Sequence, residues 1–129
     1  MYTWKITKIV WVVIDVKFEG GYVPSVYEAL EVQGTPERVV LEVQQQLGDS
    51  VVRTIAMSPV DGMKRGMAVV ASEAPITVPV GEKVLGRMFN VLGDPIDDLE
   101  KPKTEFNDPI HREAPKFSDL TTTAEVFET

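Results

Sequence analysis

From Ile6 to Ala71 the apolar positions recur with a period of two rather than 3.6, the spacing of β-strands. In the run Val39–Leu47, Val39, Leu41, Val43, Gln45 and Leu47 share one face, and Val40, Glu42, Gln44 and Gln46 share the other, which predicts a half-buried strand. Gly48-Asp49 supplies a turn, and Val51–Met57 is expected to return as the second arm of a hairpin. Ile6–Phe18 reads as one long strand, apolar at Val10, Val12, Ile14, Val16 and Phe18. A shorter strand, Tyr27–Val32, stands between Gly20-Gly21 and Gly34, and Met67–Ala71 follows a turn bracketed by Asp61-Gly62 and Gly66. Five or six short strands at close spacing predict a small closed β-barrel, a form that leaves no unpaired sheet edge.

After Pro75 the strand signal fades. Ile76–Val80 and Leu85–Leu92 are strand-like, and Gly93-Asp94-Pro95 closes a turn. Beyond Asp98 no period holds, and Pro102, Pro109 and Pro115 mark a connector. Phe117–Phe127 has room for a helical turn, although Thr121-Thr122-Thr123 is a poor helix interior. The fold class expected is therefore all-β: a barrel over residues 1–74, then strands and a proline-rich connector over 75–129.

Charge follows the same seam. Residues 1–75 carry 7 basic and 9 acidic side chains, whereas 76–129 carry 6 and 11, so most of the net −7 lies in the second part. An acidic chain of 129 residues argues against general nucleic-acid binding and against docking on anionic lipid by charge alone. The absence of cysteine excludes a disulfide framework, a thiol nucleophile and cysteine-based metal sites. The apolar stretch Ile9–Ile14 is too short to span a bilayer, and no small-residue cleavage site follows it, which argues against a signal peptide.

The search for chemistry yields no catalytic, cofactor-binding or metal-binding residue. His111 is the single histidine and sits in a proline-flanked segment without a partner nucleophile in sequence. Asp94, Asp97 and Asp98 lack the alternating ligands of a calcium loop and read as solvated turn charges. Gly62-Met63-Lys64-Arg65-Gly66 lacks the Gly-x-x-x-x-Gly-Lys-Ser/Thr spacing of a phosphate loop and reads as a turn between strands. Ser25, Ser50, Ser58, Ser72 and Ser118 stand in no nucleophile elbow. Trp4, Trp11, Met57, Met63 and Met67 are candidates for a partner surface, with core packing as the default for most.

A more specific signal lies in seven segments that occur in order: Glu28–Gly34, Leu41–Asp49, Val51–Met57, Asp61–Gly66, Val78–Glu82, Leu85–Asp97 and Pro109–Pro115. Together they resemble the amino-terminal part of the beta subunit of F-type ATP synthase, in the ATPase alpha/beta chain family. The likeness runs from about Lys5 to Thr129, and the run Gly86-Arg87-Met88-Phe89-Asn90-Val91-Leu92-Gly93-Asp94-Pro95-Ile96-Asp97 resembles beta rather than alpha. The resemblance implies that residues to about Ala74 form the crown barrel, where alpha and beta barrels alternate in a ring. It implies that residues from about Pro75 begin the α/β nucleotide-binding domain. The family's phosphate loop, catalytic carboxylate and MgATP or MgADP contacts match nothing in residues 1–129, so no site residue or cofactor is carried over. The parent would be a peripheral complex on the membrane face where ATP is made, with alpha subunits as partners and no membrane insertion, and the free chain would be soluble. A stand-alone or engineered barrel for self-association or protein binding, using Trp4, Trp11 and strand edges, is the alternative.

One departure from the family pattern stands out. Where the family reads Ile-Val-Gly-Pro-Val-Val-Asp-Val, this chain has Ile9-Val10-Trp11-Val12-Val13-Ile14-Asp15-Val16. Replacing Gly-Pro restores a backbone donor and adds a large side chain, which is expected to lengthen regular pairing. Leu85, Met88, Phe89, Val91 and Leu92 are expected to need a covering surface.

Overall fold

A computed structural model describes residues 4–126. The chain divides into two compact units, with the division after Ile76. The first is a closed six-stranded antiparallel barrel, built from β1 (Trp4–Val10), β2 (Val13–Lys17), β3 (Glu28–Val32), β4 (Val39–Gly48), β5 (Val51–Ala56) and β6 (Ala68–Pro75). The strand order is β1-β2-β5-β4-β3-β6, and Trp4↔Val69 and Lys5↔Ala68 close β6 back onto β1.

The alternation of the sequence explains most of what points inward. Ile6 faces Val16 and Ile9 faces Ile14, so both strands of the first hairpin send aliphatic side chains into the core. Between these pairs a bulge at Ile6/Lys8 resets the register, which lets Ile9 pack on the core although it is three positions from Ile6. Leu30, Leu41, Val43, Val52 and Val69 complete the fully buried centre. Each such side chain contributes about 2 kcal/mol by leaving water. The loop between β2 and β3 closes one region of the core, where the Tyr22 ring stacks on Trp4 at 5.8 Å and Phe18 meets Trp4 edge-on.

Three expectations are corrected in this unit. Ile6–Phe18 is not one strand: Trp11 and Val12 form the two-residue turn of the β1–β2 hairpin, flanked by the pair Val10↔Val13. Trp11 has φ 55, in the region that favours glycine. Thus Trp11 does not lengthen regular pairing; it occupies the position where the family pattern has glycine, and the backbone turns regardless. β4 is not half-buried along its length. Val39–Val43 are buried on both faces, and a bulge between Val43 and Gln45 turns Gln45 and Leu47 outward. β6 runs to Pro75, beyond the Met67–Ala71 expected, because its far end pairs with Glu28. The β4–β5 turn falls on Asp49 and Ser50, both at positive φ.

The second unit contains β7 (Thr77–Val80) and β8 (Phe106–Pro109), paired as a two-stranded antiparallel sheet, with 3₁₀ turns at Glu82–Val84 and Phe117–Asp119. Leu85–Leu92 is not a strand, contrary to expectation. Its only ladder contact among the described residues is the isolated bridge Phe89↔Pro95, because Asn90 and Asp97 draw the backbone into a loop of side-chain hydrogen bonds. β8 lies in the stretch beyond Asp98, where the sequence carries no strand period. Phe127 lies outside the described residues.

Candidate functional site

In the barrel, the buried side chains of Asp15, Glu28 and Thr54 are each tied down by hydrogen bonds. The Asp15 carboxylate is 7% exposed and takes a two-pronged bond from Arg53, Nε at 2.9 Å and Nη2 at 3.0 Å. That bond, and the charge of Asp15, raise the Arg53 pKa further above its ordinary value. Glu28 is buried at the start of β3, where it accepts the Tyr22 hydroxyl and the Ser25 amide. Burial first, and then the bond to Glu28, raise the Tyr22 pKa. The Thr54 hydroxyl, fully buried, donates to the Ile14 carbonyl at 2.8 Å.

Pairing registers lay out the outer face of β1, β2 and β5 in rows, since directly opposed residues share a face. Lys5 and Lys17 face each other across one row. Lys8, Asp15 and Arg53 form the next, and Val10, Val13 and Ile55 the third. Trp11 and Val12 cap the series at the hairpin tip, and Trp11 is 83% exposed.

The second unit is organised around Arg87 and Asp97. The guanidinium grips the carboxylate through Nε and Nη2 and also donates to the Glu100 carbonyl at 2.8 Å. Asp97 accepts the Met88 and Leu99 amides as well. The bond from Arg87 is the main reason its carboxyl lies well below the usual carboxylate range. Asn90 Oδ1 accepts the Leu92 and Asp94 amides, so one side chain shapes the following turn. Arg87 also lies over the Phe89 ring at 5.8 Å.

Against this geometry the sequence candidates separate. Trp4 is not a surface residue but the largest buried side chain, 1% exposed, with its indole N–H unpartnered. Met63 and Met67 pack on the core from the rim. The Asp94, Asp97 and Asp98 group is not pooled: Asp94 pairs with Lys101, Asp97 with Arg87, and Asp98 is exposed at φ 59. His111 is exposed just after β8. No group of three or more metal-ligating side chains occurs among the described residues. The Gly62–Gly66 segment is a turn with both glycines at positive φ. Three of its amides are engaged within the fold, Met63 with the Val60 carbonyl, Gly66 with the Ile6 carbonyl and Lys64 with Met67 Sδ. The Ser72 hydroxyl lies within hydrogen-bond distance of the Ala29 and Ala74 carbonyls, 2.8 and 2.7 Å, and has one proton to share between them. A cleft of about 260 Å³ in the second unit is lined by Val80–Lys83 and Thr104–Phe106, and the Lys83 ammonium there is used on the Lys103 carbonyl. No helix among the described residues is long and apolar enough to cross a membrane.

Sequence reasoning missed the Arg87–Asp97 and Arg53–Asp15 pairs. Neither has a local signature: the partners are 10 and 38 residues apart and are joined only by a loop closure or a strand register.

Comparison with known families matches residues 6–73, more than half of the chain, to the ATP synthase alpha/beta family, beta-barrel domain. The matched span coincides with β1–β6, nearly strand for strand. The chain belongs to the ATP synthase alpha/beta family, and the six-stranded barrel is its family domain.

Proposed function

We propose that this chain is the amino-terminal part of the catalytic beta subunit of a rotary, proton-translocating ATP synthase, and that its own task is structural. In this reading the barrel, with a boundary near Ala74, seats the subunit in a ring alternating with alpha subunits. The segment from Pro75 begins the nucleotide-binding domain. The observation that carries the reading is the family barrel spanning residues 6–73, with the beta-like run Gly86–Asp97 after it in the chain. MgATP and MgADP belong to other parts of the parent subunit. Residues 1–129 hold no phosphate loop, and phosphoryl transfer depends on positioned cationic and metal-binding groups. Exposed Leu85, Met88 and Val91 are surfaces that the rest of that domain would cover.

The test is co-expression with an ATP synthase alpha subunit. A stable complex of the two in equal amounts is expected, and a chain that never co-purifies would overturn the assignment. Separately, the chain incubated with ATP and magnesium is expected to give no turnover above buffer, and measurable hydrolysis would sink the structural reading.

A further inference from the structure

The hairpin tip of the barrel combines two costs that folding alone does not explain. Trp11 sits at φ 55, where an L-residue is strained, and its indole is 83% exposed. Val10, Val12 and Ile55 are further exposed apolar side chains, Val12 beside Trp11 in the turn and Val10 and Ile55 in the row next to it. Behind this lip stand Lys8 and Arg53, the latter paired with Asp15, and behind them Lys5 and Lys17; the other carboxylate of these rows, Glu42 opposite Ile55, is buried. The face is therefore apolar at its tip and cationic at its base, on a chain whose net charge is −7. Its complement exists on the same chain. In the second unit, Ile96 and Leu99 are each 59% exposed, and Asp98 and Glu100 are exposed beside them. Arg87 and Asp97 hold this segment in shape from beneath, through Asp97 to the Leu99 amide and Arg87 to the Glu100 carbonyl. A preformed segment loses little freedom on binding.

We propose that the Trp11 tip of one copy docks on the Ile96–Glu100 segment of a second copy, with Trp11 and Val12 against Ile96 and Leu99 and the basic rows facing Asp98 and Glu100. Charge selects this pairing. Two Trp11 faces brought together would oppose Lys8 and Arg53 to their own copies, and like charges at close range disfavour that contact. The contact is heterologous, with a different surface from each partner, so it propagates into a ring or an open chain. It concerns copies of this chain alone and does not rest on the alpha-subunit assignment.

The mass of the purified chain should rise above the monomer by light scattering at about 100 µM protein. The same association should weaken on going from about 50 mM to about 500 mM salt, because the basic rows and acidic segment are screened. Trp11→Gly, which suits the positive φ, should weaken association about tenfold or more with the melting temperature kept or raised, and Leu99→Ser should weaken it as much with the melting temperature kept. The decisive arm mixes the two variants. Trp11→Gly keeps an intact Ile96–Glu100 segment and Leu99→Ser keeps an intact tip, so together they should form a one-to-one dimer that neither forms alone. A monomer at every salt concentration overturns the proposal, as does full association of Trp11→Gly. Failure of the mixture to pair overturns it as well, because a contact made by two identical faces gives that result.

Discussion

In the barrel, Trp4, Ile14, Leu30, Leu41, Val43 and Val52 are withdrawn from water almost completely, whereas among the described residues from Thr77 onward only Gly93 is buried. The second unit keeps its shape by other means: the Arg87–Asp97 clamp, the Asn90 turn and a two-stranded sheet of four residues each. Sheets of two strands have little stability of their own in water. The difference teaches that one chain here uses two kinds of cohesion. Apolar burial acts through many weak contacts and is cooperative. The polar clamp is directional and local, and solvent competes with it.

The largest expected effect tests the first kind of cohesion. Leu41→Ala should cost the barrel about 2–5 kcal/mol, the range for emptying a packed aliphatic site, read from the urea midpoint. Leu99→Ala, the same chemical change on an exposed side chain of the second unit, should cost less than about 0.5 kcal/mol. Similar losses at both positions would end the contrast.

Next is Tyr22, whose hydroxyl supports the buried Glu28 carboxylate. Its pKa is raised by folding, so its contribution is complete below the ordinary tyrosine value near 10 and fades as pH rises through the higher folded value. Tyr22→Phe should cost about 1 kcal/mol at neutral pH and flatten the alkaline fall in stability. An unchanged alkaline profile in the variant would remove Tyr22 as its source.

At the hairpin tip, Trp11→Gly relieves a left-handed conformation that costs about 1–2 kcal/mol, offset by the flexibility glycine adds to the unfolded chain. A gain of up to about 1 kcal/mol in the denaturation midpoint is expected, and a clear loss would mean that the indole supports the barrel after all.

The smallest effect is confined to the clamp. Folding depresses the Asp97 pKa, so its contribution is complete above the ordinary carboxylate value near 4 and disappears as pH falls through the folded value. Protection of the Met88 and Leu99 amides against exchange, relative to an unstructured peptide at the same pH, should therefore fall as the pH drops below about 4, and Asp97→Asn should show reduced protection there already at neutral pH. If the barrel amides lost protection in parallel, the two units would not differ as described.

The apolar run Val39–Val43, the turn signal at Gly48-Asp49, which the structure places one residue later at Asp49-Ser50, and the short strand Tyr27–Val32, which starts at Glu28, made the closed barrel legible in the sequence, because each reports a local preference for strand or turn. Ordered segments such as Glu28–Gly34, Leu41–Asp49 and Asp61–Gly66 made the family legible as well. The tertiary structure alone decided that Trp11 turns the chain, since Val10 and Val13 become partners only when Ile14 meets Ile9 and Val16 meets Ile6 inside the core. It also decided that Trp4 is interior, where Tyr22 and Phe18 enclose it, and that Arg53 and Arg87 have carboxylate partners. Periodicity records which side of a strand is apolar. Where a strand ends, and which distant group a charge meets, depend on register and loop closure, and these exist only once the chain has folded.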